Sequence, residues 1–514
     1  MRSNGDKQKD QLMEQFAQLS ASLRQLIDTD PAAAIAQVEN LVLPEVFHES
    51  TAENLRAGIY IDAGTELGNS QTIQRGIEIL ERLVKEMPEQ SDRLLSLANG
   101  LLALADLVPY TGVQWYLVTA PTRERARALL QRAAEGEQSG EVQGRAYTNL
   151  GNALIKAYRF VEAYDCYVRA LAKDPTNTVA STGAARILLT FAGQGLGDKD
   201  ALLAVANHHL RYARENPERL RQLAGAKAFE ALEPLLKERF PDIPGVDLSR
   251  VPAYQRFVAE HRLALALTID GLALSMRRWD SLQLPGIFTE INDMGGVPPI
   301  FAMFNMLKSD FLAARYIAFT SIHGRSPRET GSYADSLDYA RYGIDVSMLM
   351  LAQRAAIDLL DKVAVALTHY LGLGKDATGV YFTNRFYKQG KEVEWDEAIA
   401  QEIAKSNRGL LAICEVARDV RGGGYLKVKR ALRHASTHRF AALHDPGIRT
   451  ETQNGFIEHY DFEEYGRQVI EALQLARATL IYFVQTVADR EARMPKDGVF
   501  PIEVMDHHWI RGRR

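Results

Sequence analysis

Residues 144–177, GRAYTNLGNALIKAYRFVEAYDCYVRALAKDPTN, read as two short helices folded back on one another. Counting from Gly144, the residues Leu150, Gly151 and Leu154 fall at the seventh, eighth and eleventh positions. Ala163, Tyr167, Ala170 and Pro175 come at the twentieth, twenty-fourth, twenty-seventh and thirty-second. The small residues let two antiparallel helices approach closely, the large ones fill the seam, and the proline closes the second helix. A fainter copy at 57–90 keeps Tyr60, Ala63, Gly64, Leu67, Leu80, Leu83 and Pro88 in register. The copies start 87 residues apart, two periods of 34 with 19 left over. The surplus is expected as an insertion at DLVPYTGVQWYLVTAPT (106–122), between the helices of the intervening unit. Its Tyr110, Trp115 and Tyr116 would form either a contact surface or a hydrophobic plug. Segments near 6–28, 178–191 and 200–240 also read as helices, so residues 1–240 are expected to stack as an α-solenoid.

The 144–177 unit resembles the tetratricopeptide (TPR) repeat, and 57–90 is a weaker match to the same pattern. Such stacks curve and offer a concave groove, in which a protein or peptide partner is expected. The alternative is that the stack only supports the carboxy-terminal half.

The stretch PDIPGVDLSRVP (241–252) reads as a linker. Beyond it, Phe304, Leu307, Phe311, Ala314 and Ala318 recur at helical spacing, one apolar face. Met350, Ile357, Leu360, Ala364, Leu367 and Leu371 do the same between about 346 and 371. A third helix is expected from Trp395 through GLLAICEVARDV. The last long one carries Val469, Leu473, Ala476, Leu480, Phe483 and Val487. Short links between such helices imply an antiparallel bundle over 250–495, with a polar tail at 496–514. The fold class expected is all-α.

Chemistry concentrates in KVKRALRHASTHRF (427–440). Histidine titrates near neutrality and can move a proton. Arginine is planar, always charged and can hold charge on a phosphoryl group. Between Arg418 and Arg439 stand Arg418, Arg421, Lys427, Lys429, Arg430, Arg433 and Arg439 against the single acid Asp419. Gly422, Gly423 and Gly424 break the preceding helix, which puts Arg433 and His438 near the start of a new one. The bland reading is a solvated basic helix. His434 and His438 have the spacing of a zinc-binding pair. The intervening residues lack the usual glutamate, though, and no third ligand is suggested nearby.

The order YQRFVAEHRLAL, FNMLKSDFLAARY, SNRGLLAICEVARDV and LRHASTHRF resembles a bacterial branch of the HEPN superfamily found fused to TPR repeats. The likeness covers roughly 250–490. It implies a metal-independent endoribonuclease with catalytic Arg433 and His438, assisted by His434, and with RNA backbone held by Lys427, Lys429, Arg430 and Arg439. The residue after the arginine is most often asparagine in that superfamily, and here it is His434. Five residues on a helix turn through about 140°, so the resemblance implies a homodimer that places two motif helices side by side. Asp310 is a supporting candidate for setting the histidine's tautomer, with a surface or inter-helix salt bridge as the plainer reading. The architecture implies antiviral defence by abortive infection or a toxin–antitoxin role. A non-catalytic TPR scaffold whose bundle dimerises and binds RNA or protein is the alternative.

The bounds set by composition agree. A net charge of -4 excludes a chain that coats nucleic acid indiscriminately, so RNA contact must be local. Cys166 and Cys414 fit no disulfide or metal spacing. The polar start MRSNGDKQKDQ lacks the apolar core of a signal peptide, and no apolar run is long enough for a membrane span. A cytoplasmic protein without a cofactor is expected.

Overall fold

The computed structural model describes residues 4–44, 47, 49–136, 139–242, 247–270, 279–290, 296–325, 327–334, 337, 339–374, 376–388, 394–421, 424–426, 440–447, 456–495 and 499–502. Twelve helices come first: α1 (Asn4–Ile27), α2 (Pro31–Glu39), α3 (Glu49–Glu66), α4 (Ser70–Glu86), α5 (Ser91–Asp106), α6 (Val113–Glu135), α7 (Gly140–Ile155), α8 (Phe160–Lys173), α9 (Thr178–Gly193), α10 (Lys199–Glu215), α11 (Pro217–Ala224) and α12 (Ala226–Lys237). They pack as successive antiparallel pairs, α3 on α4, α5 on α6, α7 on α8 and α9 on α10. Asn69, Ser139, Asn177 and Asp198 accept backbone N–H groups at the starts of α4, α7, α9 and α10, satisfying donors that a helix leaves open. Gly151 sits where the repeat pattern demands a small residue. A Cβ there would lie 2.8 Å from the ring of Tyr167 on α8.

The surplus at 106–122 is not a loop insertion between helices. Only residues 107–112 connect α5 to α6, and the rest lengthens α6 at its start. That extension is stabilised by its aromatics. Trp115 and Tyr116 are buried, edge to face at 5.0 Å, and the Trp115 Nε1–H donates to the Val108 carbonyl at 3.1 Å. Tyr110 remains exposed. The aromatic group is a plug with one rim residue.

The carboxy-terminal half contains α13 (Ala253–Glu260), α14 (Pro299–Ile322), α15 (Ile344–Tyr370), α16 (Glu397–Ala404), α17 (Arg408–Val420) and α18 (Phe462–Glu491). Helices α14, α15, α17 and α18 form the packed bundle. The helix expected from Trp395 is two helices. Ser406 turns left-handed (φ 65°), and Asn407 caps α17 through Leu410 N–H at 3.0 Å. Two small sheets accompany the helices. β1 (Ile287–Glu290) pairs antiparallel with β5 (Val499–Ile502), which lies inside the stretch read as a tail. β2 (Ala340–Arg341) pairs antiparallel with β3 (Phe440–His444), and β3 pairs parallel with β4 (Ile457–Asp461). The all-α class holds; the strands are a minor addition that short, unevenly alternating segments do not announce.

Solenoid and bundle share one continuous hydrophobic core, and a buried polar seam runs through it. Arg123 and Arg127 project from one face of α6, Glu415 and Asp419 from one face of α17, each pair four residues apart. Arg123 holds Glu415 with two N–H bonds, 2.9 and 3.0 Å. Arg127 grips Asp419 with two more at 2.8 Å. Arg159, just before α8, also donates to Asp419 and to Glu162. These side chains are withdrawn from water. Burial pushes the Glu415 carboxyl up, but Arg123 and Arg127 outweigh it and hold it at about 2.

Two histidines, His209 and His261, should make stability acid-sensitive. Tyr164 donates to Asp270 at 2.6 Å, so the His209 Nε2–H is the group that meets its hydroxyl oxygen at 3.1 Å. Burial lowers His209 to about 4, and burial together with the nearby Arg262 charge does the same to His261. Between pH 6.5 and 4 the unfolded chain therefore binds more protons than the folded one. Stability should fall through that window by an amount on the order of a few kcal/mol and then level, as far as these two histidines go. Thermal melts at pH 7, 5.5 and 4 check this. His209→Gln should flatten part of the slope.

Candidate active site

Arg433, His434 and His438, with Lys427, Lys429, Arg430 and Arg439, lie outside the described residues. What the structure fixes is how the chain enters and leaves that segment.

Entry is from the buried seam. Helix α17 ends at Val420, and the chain turns back on itself so that the Leu426 N–H donates to the Asp419 carbonyl at 3.0 Å. Gly424 lies against that carbonyl. A Cβ there would come within 2.0 Å of Asp419 O, an approach that only glycine permits. The Tyr425 hydroxyl accepts a hydrogen bond from Arg159 Nη2 at 3.0 Å. A cavity of about 100 Å³ opens beside Tyr425 and Leu426, bordered by Glu162, Arg169 and Glu471. It is well under the ~300 Å³ at which small-molecule sites begin.

Exit is into a sheet. The Phe440 N–H donates to the Phe456 carbonyl at 3.4 Å, and β3 then runs beside β4. β4 leads directly into α18, whose first turn Asp461 caps through Glu464 N–H at 2.9 Å. Seam and sheet therefore hold the two ends of the motif segment.

Of the arginines counted in the basic window, one is buried and another is half-buried. Arg418 is only 2% exposed, over the Tyr387 ring and 3.9 Å from Glu124. Arg421 also lies over Tyr387, at 4.1 Å. Asp310 is on α14 and forms an ion pair with Lys362 of α15 at 2.6 Å. Arg315 on the same helix is buried and holds Asp280 through two bonds of 2.8 Å, a structural clamp.

One pair is invisible in the sequence alone. His444, buried at the end of β3, meets His459 of β4 with Nε2 and Nδ1 2.7 Å apart. At that distance one ring nitrogen donates a hydrogen bond and the other accepts it. Arg341 on β2 adjoins through Asp445 and Asp345, each at 3.4 Å. The signal is the parallel pairing of FAALH with IEHYD, which neither segment shows by itself.

Residues 291–490 match the family model of the LA2681-like HEPN domain. The HEPN match spans α14 to the last turn of α18 and includes the motif segment, with β3 and β4. It begins later than the resemblance expected from residue 250, leaving α13 outside. Among solved structures, MamA of MSR-1 in its C2 crystal form is 20% identical, covering 40% of this chain and 96% of that one, with a TM-score of 0.24. MamA of AMB-1 in its P212121 form is 17% identical over 42% and 94%, with a TM-score of 0.20. Likenesses that low carry no argument about fold. No curated protein matches the chain.

Proposed function

We propose that this chain is a metal-independent endoribonuclease, with a catalytic bundle at 250–495 and a partner-sensing solenoid at 1–240, acting in the cytoplasm in antiviral defence or a toxin–antitoxin-like response. The observation that carries the reading is the HEPN match over 291–490, which encloses Arg433 and His438 at the superfamily's spacing. His438 takes the proton of a ribose 2′-hydroxyl as that oxygen attacks the adjacent phosphorus. Arg433 stabilises charge on the phosphoryl oxygens, and His434 orients the other two or contacts the phosphate. The P–O5′ bond breaks, the leaving 5′ oxygen takes a proton from solvent and departs as a hydroxyl, and a 2′,3′-cyclic phosphate remains. Lys427, Lys429, Arg430 and Arg439 hold the backbone without reading sequence. Two chains pair through their bundles so that the motifs face each other. Asp310, engaged with Lys362, has at most an electrostatic part.

The test is digestion of total RNA by the purified chain in excess chelator, with the ends of the products mapped. Cyclic phosphate and 5′-hydroxyl ends are expected. Products bearing 5′-phosphates, or cleavage that the chelator stops, would overturn the mechanism.

A further inference from the structure

The motif segment starts from a point that the solenoid holds. Arg159 belongs to the solenoid, in the turn before α8, and is fully buried. Its guanidinium donates from Nε and Nη2 to Glu162, from Nη1 to Asp419, and from Nη2 to the Tyr425 hydroxyl. Asp419 already has two bonds from Arg127, so charge balance alone does not call for Arg159. What Arg159 adds is reach. It joins the last turn of α17 to the returning residues 424–426, and the guanidinium also lies 5.7 Å from the Tyr425 ring centre. Seven residues separate Tyr425 from Arg433. The Gly424 contact and the Leu426 bond to Asp419 leave that return little freedom.

We propose that Arg159 of the solenoid is a positioning residue for the ribonuclease reaction, acting through Tyr425 to fix where the catalytic segment leaves α17. This rests on the ribonuclease reading above. The solenoid is then part of the catalytic scaffold. Only a planar fork reaches Glu162, Asp419 and Tyr425 together; a lysine keeps the charge and loses the geometry.

The experiment compares full-length wild type, Tyr425→Phe, Arg159→Lys and His438→Ala for kcat, KM and pH profile on one RNA, with melting temperatures alongside. Tyr425→Phe retains the ring and removes one hydroxyl. It should lower kcat by about tenfold or more, since small misplacements of reacting groups are costly, with KM and the pH profile unchanged. Arg159→Lys should show the same split. A fall in melting temperature with wild-type kcat in Tyr425→Phe would make the contact merely structural and overturn the proposal while His438-dependent cleavage stands. Absence of cleavage by the wild-type chain would remove both readings.

Discussion

Alanine at position 438 should lower RNA cleavage by ~10²–10⁴-fold, the range that a positioned proton-transfer group contributes, and leave fold and oligomeric state unchanged. Arg433→Ala should be comparably damaging, and Arg433→Lys should not restore activity, because a point charge does not replace the bidentate fork on a phosphoryl group. The separation of about 140° that a helical motif would impose between the two residues gives a sharper version. If each site draws on both chains, mixing Arg433→Ala with His438→Ala subunits should recover part of the activity that neither homodimer has. Cleavage assays in chelator, circular dichroism and sedimentation read these outcomes. Undiminished cleavage by His438→Ala, in a folded chain, would sink the mechanism.

The repeat half was legible because its signal is local. Gly151 and Tyr167 touch across one helical hairpin, and 17 residues of sequence carry both. The surplus segment is not legible for the opposite reason: whether DLVPYTGVQWYLVTAPT loops out or extends a helix depends on Trp115 and Tyr116 finding a core to enter. The bundle helices were legible from their apolar stripes, but the strands were not, since β3 is defined by β4 and by β2 nearly a hundred residues away. The seam left a trace that could have been read. GLLAICEVARDV is buried from Gly409 through Val420, and its charges Glu415, Arg418 and Asp419 cannot sit there unpaired. TRERAR (122–127) offers Arg123 and Arg127 at the matching spacing. Arg418 reads as part of a phosphate-facing patch because charge in a sequence does not say which side of a helix meets water.

Glu415→Gln should be among the most destabilising single-atom-scale changes available in this chain. The amide has nearly the shape of the carboxylate, so packing is preserved and the loss is one of charge. Arg123 gives Glu415 two N–H bonds, and Arg127 stands 3.2 Å from it. Without the carboxylate these guanidiniums stay buried and under-compensated. Breaking a buried ion pair from one side costs about 3–5 kcal/mol, against a total stability of about 5–15 kcal/mol for a typical domain. The first thermal transition should drop sharply, with proteolysis appearing at the junction before either half unfolds. The sign of the pH dependence comes from the same pair. Glu415 sits at about 2 in the fold, so its contribution is complete above the ordinary carboxylate range and disappears as pH falls toward 2. Wild type and Glu415→Gln should therefore converge in stability as the pH is lowered, and differ most at neutrality. Replacing both ends together, Arg123→Met with Glu415→Leu, tests what the bridge is for. Well-packed apolar substitutes for a buried pair are often neutral or stabilising, and Arg127 still has Asp419 as its partner. A double variant that melts near wild type but cleaves RNA poorly would show that the seam's charges serve the registration of solenoid on bundle more than the stability of either.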